Sequence, residues 1–191
     1  MKELKVPHKI LLAKPDAKVE IRMPEEKGVT ISVGKIKLPR TLKADATIIS
    51  TIGNEFNLRD LDKLSGLIVL DLQGFARTKK GRINFPPKNL QRIGVLKVTQ
   101  SELKSLKLRD VQDQKKRILL VTKGAGGFKV FAKDKVYKFF AKKSKASDTL
   151  GAGDVLLTAF VAKFTKTHNL KTASRFALDY TTKFIETKSH G

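Results

Sequence analysis

Not one of the 191 residues is cysteine, which rules out a disulfide framework and any thiolate metal site. Histidine is almost as scarce: His8, His168 and His190 are scattered along the chain, and so dispersed a set argues against a zinc enzyme. Tryptophan is absent and aromatic residues make up 7% of the chain; no RNP-type aromatic motif, zinc finger or KH-type clamp accompanies them. No apolar run approaches the roughly 18 to 20 residues of a membrane span, and Met1-Lys2-Glu3-Leu4 opens no signal-peptide core. The expectation is a cytoplasmic protein with no membrane partner. Acid is also in short supply, with 18 Asp+Glu against 40 Lys+Arg and a net charge of +22 spread along the whole chain. Such a field attracts polyanions, so nucleic acid stands as an alternative partner. A solvated lysine-rich surface explains the same charge, and ATP is itself an anion.

What is present suffices for a core. The hydrophobic content is 40%, as in globular domains, and the length suits one folded unit, residues 1–191. Residues 1–44 read as an irregular β-rich stretch: Val19-Glu20-Ile21 and Val29-Thr30-Ile31-Ser32-Val33 look like short strands between Pro15, Pro24, Gly28 and Pro39. The lysines among them, Lys5 to Lys43, read as a solvated face.

From residue 45 the pattern becomes regular. Short branched runs at Ala46–Ser50, Leu67–Leu72, Val95–Val98 and Arg117–Thr122 alternate with a helical stretch at Asn57–Ser65, a short Lys88–Ile93 segment and helix-like residues 101–116, which predicts an α/β fold with a mostly parallel sheet. Gly127–Phe131 and Val136–Phe140, joined across Lys133-Asp134-Lys135, predict an antiparallel hairpin at the sheet edge. Two helices follow, Ala152–Thr167 and Leu170–Thr187, the second with Ala173, Phe176, Ala177, Tyr180 and Phe184 at helical spacing.

Chemistry is expected beyond the C-terminal strand ends of such a sheet. There the chain runs Ser147-Asp148-Thr149-Leu150-Gly151-Ala152-Gly153-Asp154 into an apolar helix. The first amides of a helix lack intrahelical partners and carry the positive end of the macrodipole, so Gly151, Ala152 and Gly153 offer unshielded donors to an anion. Asp154, in the first turn, would accept a proton from a hydroxyl beside that anion, which suggests group transfer onto an alcohol. The plainer reading makes Ser147, Asp148 or Thr149 an ordinary N-cap and Asp154 a first-turn acid.

Other strand ends carry related signals. Ser50-Thr51-Ile52-Gly53-Asn54-Glu55 follows the first strand, and Asp71-Leu72-Gln73-Gly74-Phe75-Ala76-Arg77 ends the second; a turn with a satisfied Asp71 and a surface Arg77 is the simpler account. Lys97-Val98-Thr99-Gln100-Ser101-Glu102 ends the third, where Glu102 also fits a capping box. Val121-Thr122-Lys123-Gly124-Ala125-Gly126-Gly127 ends the fourth; it is neither a P-loop nor a Rossmann fingerprint, because both the GK[ST] ending and the G-x-G-x-x-G spacing are absent.

Taken in this order, the motifs resemble the ribokinase-like, or PfkB-type, carbohydrate kinases. Asp148-Thr149-Leu150-Gly151-Ala152-Gly153-Asp154 is similar to the family's C-terminal signature, with Thr158 bulkier than the small residue usual there. The resemblance implies a three-layer Rossmann-type sandwich with an antiparallel edge hairpin. It implies Asp154 as catalytic base, Gly151, Ala152 and Gly153 as the anion cradle, and Thr122, Gly124, Gly127 and Thr149 at the nucleotide. Asp71, Arg77 and Lys97 would lie on the acceptor or phosphate side. Glu102 resembles the acid of an Asn-x-x-Glu element that works through Mg²⁺-bound water, although Thr99 stands where Asn is usual. The implied reaction transfers the γ-phosphoryl of ATP, with Mg²⁺, to a hydroxyl of a sugar or nucleoside. Family members open with a strand, a Gly-Gly loop, an acceptor-binding Asp and a small β lid, whereas the only early glycines here are Gly28 and Gly34. The chain therefore resembles the C-terminal two thirds, N-terminal portion and lid missing, and a homo-oligomer or a complementing N-terminal half is expected. The alternative is a non-catalytic nucleotide- or nucleic-acid-binding basic protein on the same scaffold.

Overall fold

Runs of branched apolar residues too short for helices become strands. The computed structural model describes residues 18–22, 27–32, 36, 38, 41–51, 55–76, 91–105, 117–141 and 148–188. β1 (Lys18–Arg22) and β2 (Lys27–Ser32) pair antiparallel as a separate two-stranded sheet. The main sheet has six strands in sequence order: β3 (Ala46–Ile49), β4 (Leu67–Asp71), β5 (Val95–Thr99), β6 (Ile118–Thr122), β7 (Phe128–Ala132) and β8 (Lys135–Phe139). β3 to β6 are parallel, and β7 and β8 close the edge as the expected antiparallel hairpin. Parallel neighbours require crossovers, and those between β3 and β6 carry short helical turns, while the two long helices follow β8.

Strict alternation divides the strand residues between two faces. Ile68, Leu70, Leu96, Val98, Leu119 and Val121 are buried on one face with Phe56, Leu61, Leu64 and Ile93. That side also carries a 3₁₀ helix (Leu58–Lys63), α1 (Gln73–Ala76) and α2 (Gln100–Ser105). Val69, Val95, Leu120, Phe128 and Val130 are buried on the other. Against them pack α3 (Ala152–Thr167), through Leu157 and Phe160, and α4 (Leu170–Lys188), through Ala173 and Ala177. The result is three layers, each large apolar side chain removed from water contributing roughly 1.5–3 kcal/mol. Residues 77–90 and 106–116, hence the first half of the short Lys88–Ile93 segment and most of the helix expected over 101–116, lie outside the described residues; Gln91 and Arg92 form a turn.

α3 stops where His168 turns left-handed (φ 49°), its amide donating to Phe164 O at 2.8 Å. Asn169 Oδ1 then accepts from Thr172 N at 3.0 Å to start α4. Small Ala173 and Ala177, both fully buried, let the two helices approach closely. Among the described residues no helix is long and apolar enough to cross a membrane.

Candidate functional site

The register of the sheet creates the first part of the site. Asp71 and Lys97 are direct partners across β4 and β5, on the face that α3 covers. Both are buried, with side chains 1% and 5% exposed, and Lys97 Nζ donates to Asp71 Oδ2. The other carboxylate oxygen accepts from Gln73 N at 3.1 Å, the amide that opens α1. Asp71 is thus a satisfied turn acid and the partner of a buried ammonium at once.

α3 begins over this pair. Its N-cap is Gly151, held at φ 82°, which a side chain would resist, and no side chain caps the helix. The plainer reading of Ser147, Asp148 or Thr149 as N-cap is therefore corrected. Asp148 instead accepts from Leu150 N at 2.8 Å, an Asx-type turn, and takes an ion pair from Lys188 at 3.0 Å. The Leu150 amide, then Lys188, hold its carboxyl below the ordinary value of 3.8. Lys188 also donates to Leu150 O at 3.1 Å, tying the end of α4 to the turn before α3. Of the three cradle amides, that of Ala152 donates to Thr149 O at 3.1 Å, while those of Gly151 and Gly153 have no hydrogen-bond partner among the described residues.

Gly153 stands directly above Lys97: a Cβ there would lie 3.1 Å from Nζ. The next residue, Asp154, is exposed, and its Oδ1 accepts from Ser50 Oγ at 3.3 Å. Ser50 follows β3, Asp71 ends β4 and Lys97 lies in β5, so three strands and a helix start converge on one spot. Asp71, Lys97, Gly153 and Asp154, expected at the site, come together there. Ser50 carried no individual role in the sequence reading beyond its place in a strand-end loop. Thr158 is exposed on α3, so its bulk meets solvent.

The remaining positions are arranged differently. Glu102 Oε2 accepts from Thr99 N at 2.8 Å and Glu102 N donates to Thr99 Oγ1 at 3.2 Å, a reciprocal capping box at the start of α2. One carboxylate oxygen of Glu102 stays outside that exchange. Thr122 Oγ1 donates to Val98 O at 3.4 Å, and Thr149 is exposed. Gly124 is open, with nothing near its Cβ position, whereas a Cβ on Gly127 would strike Phe139 O at 2.1 Å; Gly127 is fixed by the hairpin. Beside this turn opens a cleft of about 280 Å³, lined among others by Lys123, Lys129, Lys138 and an exposed Phe140. No hydrogen bond or ion pair among the described residues joins Glu102 or the glycine turn to the Asp71–Lys97 pair or to Asp154. Arg77 lies outside the described residues.

A mostly parallel sheet between helical layers, with a glycine turn feeding a helix at the C-terminal strand ends, defines an α/β protein. Residues 92–189 match the family described as pfkB family carbohydrate kinase, and the chain belongs to it. No curated protein matches the chain. Among solved structures it is similar to a pyrophosphate-dependent kinase in the ribokinase family, complexed with a pyrophosphate analog and myo-inositol. That likeness has a TM-score of 0.70 and 21% identity, covering 89% of this chain and 69% of that one. It is also similar to the ribokinase of Thermotoga maritima (0.59, 19%, covering 74% and 50%) and to the nucleoside kinase of Methanocaldococcus jannaschii (0.61, 22%, covering 78% and 53%). At these identities the likeness is one of fold, the ribokinase-like fold. The chain spans 50% to 69% of the length of these three structures.

Proposed function

We propose that this chain carries the phosphoryl-transfer site of a kinase that moves a phosphoryl group from a polyphosphate donor to a hydroxyl of a sugar, polyol or nucleoside. The observation that carries the reading is Asp154, exposed in the first turn of α3 and bonded to Ser50, beside the amides of Gly151 and Gly153, which have no partner among the described residues. In this reading Asp154 takes the proton from the attacking hydroxyl while the amides meet charge building on the phosphoryl oxygens. Such transfer needs alignment and electrostatic support more than covalent help. ATP is the donor expected from the glycine turn, and the cleft beside Gly124 would take its far end. The pyrophosphate analog and myo-inositol on a structural neighbour make pyrophosphate and a polyol the second donor and acceptor to try.

A divalent cation such as Mg²⁺, when bound, would neutralise charge across the phosphates. Among the described residues no three of His, Asp and Glu converge as ligands. The donor set therefore suits a cation held mainly by phosphate and water, with the Glu102 oxygen that stays outside the capping box reaching it through water.

Thermal unfolding with and without Mg²⁺-ATP or Mg²⁺-pyrophosphate tests the reading. A ligand at a hundredfold excess over its dissociation constant stabilises the fold by about 2.7 kcal/mol, which raises Tm by about 5–10 °C for a chain of this size. A cooperative transition that neither donor moves refutes it. The reading includes completion of the sheet beyond β3, which no described strand pairs on its outer side, by a second copy or by a separate N-terminal half. A stable monomer in sedimentation at high concentration counts against the self-pairing form.

A further inference from the structure

Lys97 has more donors than partners. Its ammonium can give three hydrogen bonds, its side chain is 5% exposed, and its one hydrogen bond among the described residues goes to Asp71 Oδ2. Removing an ion pair from water is costly, and an apolar pair of similar volume serves stability as well or better. Leu70 and Leu96 do so one register step away. A charged pair at the last step of β4 and β5 therefore calls for a reason other than packing.

Its surroundings supply one. The ammonium lies against the first turn of α3, where Gly153 has no side chain to keep it off: a Cβ would sit 3.1 Å from Nζ and 3.6 Å from Cε. The Gly153 amide beside it is itself without a partner among the described residues. Amide and ammonium thus meet at one place from two elements, the helix from above and the sheet from below. A positive charge fixed in advance in a site with little water is worth far more than one in solvent.

We propose that Lys97 forms the floor of the anion cradle. Asp71 positions it, and a phosphoryl group held at Gly151–Gly153 accepts one of the two N–H bonds that have no acceptor among the described residues. The proposal rests on the kinase reading above and decides between the two sides left open for Lys97: it serves the phosphate and not the acceptor. It also gives Gly153 a steric role, since any side chain there would intrude on the ammonium.

Calorimetric titration of the full chain with Mg²⁺-pyrophosphate and with Mg²⁺-ATP tests it, with circular dichroism showing that each variant is folded. D71N keeps the ammonium and loosens its tether, so its affinity lies between those of the unaltered chain and of a variant that has lost the ammonium as well. D71N/K97M removes both charges, leaves no lone buried ion, and loses the charge-assisted bond, so affinity falls about tenfold or more. Because the chain has no cysteine of its own, D71N/K97C offers a second route: aminoethylation in denaturant followed by refolding restores an ammonium at that position, and binding returns with it. D71N/K97M binding as tightly as D71N, D71N binding as weakly as the double variant, or an aminoethylated protein that folds but gains nothing each overturns the proposal. An unaltered chain that binds neither probe overturns the kinase reading and this proposal together.

Discussion

Replacing Gly74 by alanine tests whether α1 locks the loop that carries Ser50. A Cβ at this position would lie 2.1 Å from Thr51 Oγ1, 2.3 Å from Thr51 O and 2.5 Å from Thr51 C. Two of those atoms are backbone and cannot swing aside. Thr51 is only 7% exposed, so the loop cannot retreat into open space. Elsewhere in a helix the same change would help, by about 0.5–1 kcal/mol. Overpacking a filled site costs about 1–3 kcal/mol, and contacts this short belong at the upper end. The net expectation is a loss of about 2 kcal/mol, which lowers Tm by about 4–8 °C for a chain of this length. Thermal unfolding followed by circular dichroism at pH 7 reads it directly. T51A combined with G74A should recover only part of the loss, because the Thr51 carbonyl remains in the way. An unchanged or raised Tm for G74A would refute the reasoning, showing that α1 does not press on the Ser50–Thr51 turn.

Three further outcomes follow from other parts of the molecule. Phe160 is fully buried between α3 and the sheet and stacks on Phe164 at 5.6 Å; F160A should cost about 3–5 kcal/mol in urea unfolding, and a loss under about 1 kcal/mol would mean the α3 face is not packed as described. D154N should bind the phosphoryl donor as the unaltered chain does and transfer nothing in an assay of acceptor phosphorylation, so equal turnover by the variant removes Asp154 as base. The Asp148 carboxyl is held below 3.8 by the Leu150 amide and then by Lys188. A carboxyl depressed in the folded state stabilises above its unfolded value and loses that contribution as pH falls through the folded one. D148N should therefore melt slightly below the unaltered chain at pH 7, with the two converging below pH 3.8; a gap that widens on acidification contradicts the turn geometry.

The layers were legible because the strands declare themselves. Leu67-Ile68-Val69-Leu70 is branched, short and apolar on both sides, as a strand covered on both faces must be. The hairpin shows where the signal weakens. Its strands are Phe128–Ala132 and Lys135–Phe139, one residue from the expected bounds at each end, and its turn is the two residues Lys133 and Asp134. Lys133 sits at φ 54°, a conformation that lysine seldom takes, so no glycine or asparagine marked the turn. The helix start was harder still. Ser, Asp and Thr beside one another look like caps, yet Gly151 closes the helix end with its backbone alone, and Asp148 spends its carboxylate on the turn before it.

At the site, motif spacing finds residues whose roles are local and misses those defined by a meeting of elements. Glu102 and Thr99 were readable as a capping box because both partners lie within one turn. Ser50 and Asp154 are 104 residues apart, and nothing in either neighbourhood announces the other. The same holds for Lys97 and Gly153. A lysine within a buried strand and a glycine in a helix each have an ordinary explanation; only the parallel register that sets Lys97 opposite Asp71, and the seating of α3 on that face, bring ammonium and bare backbone together. What the sheet adds to the motifs is a direction. It aims the Lys97 ammonium of β5 at the helix start that the glycines leave open, and an anion at that start would meet fixed positive charge from both.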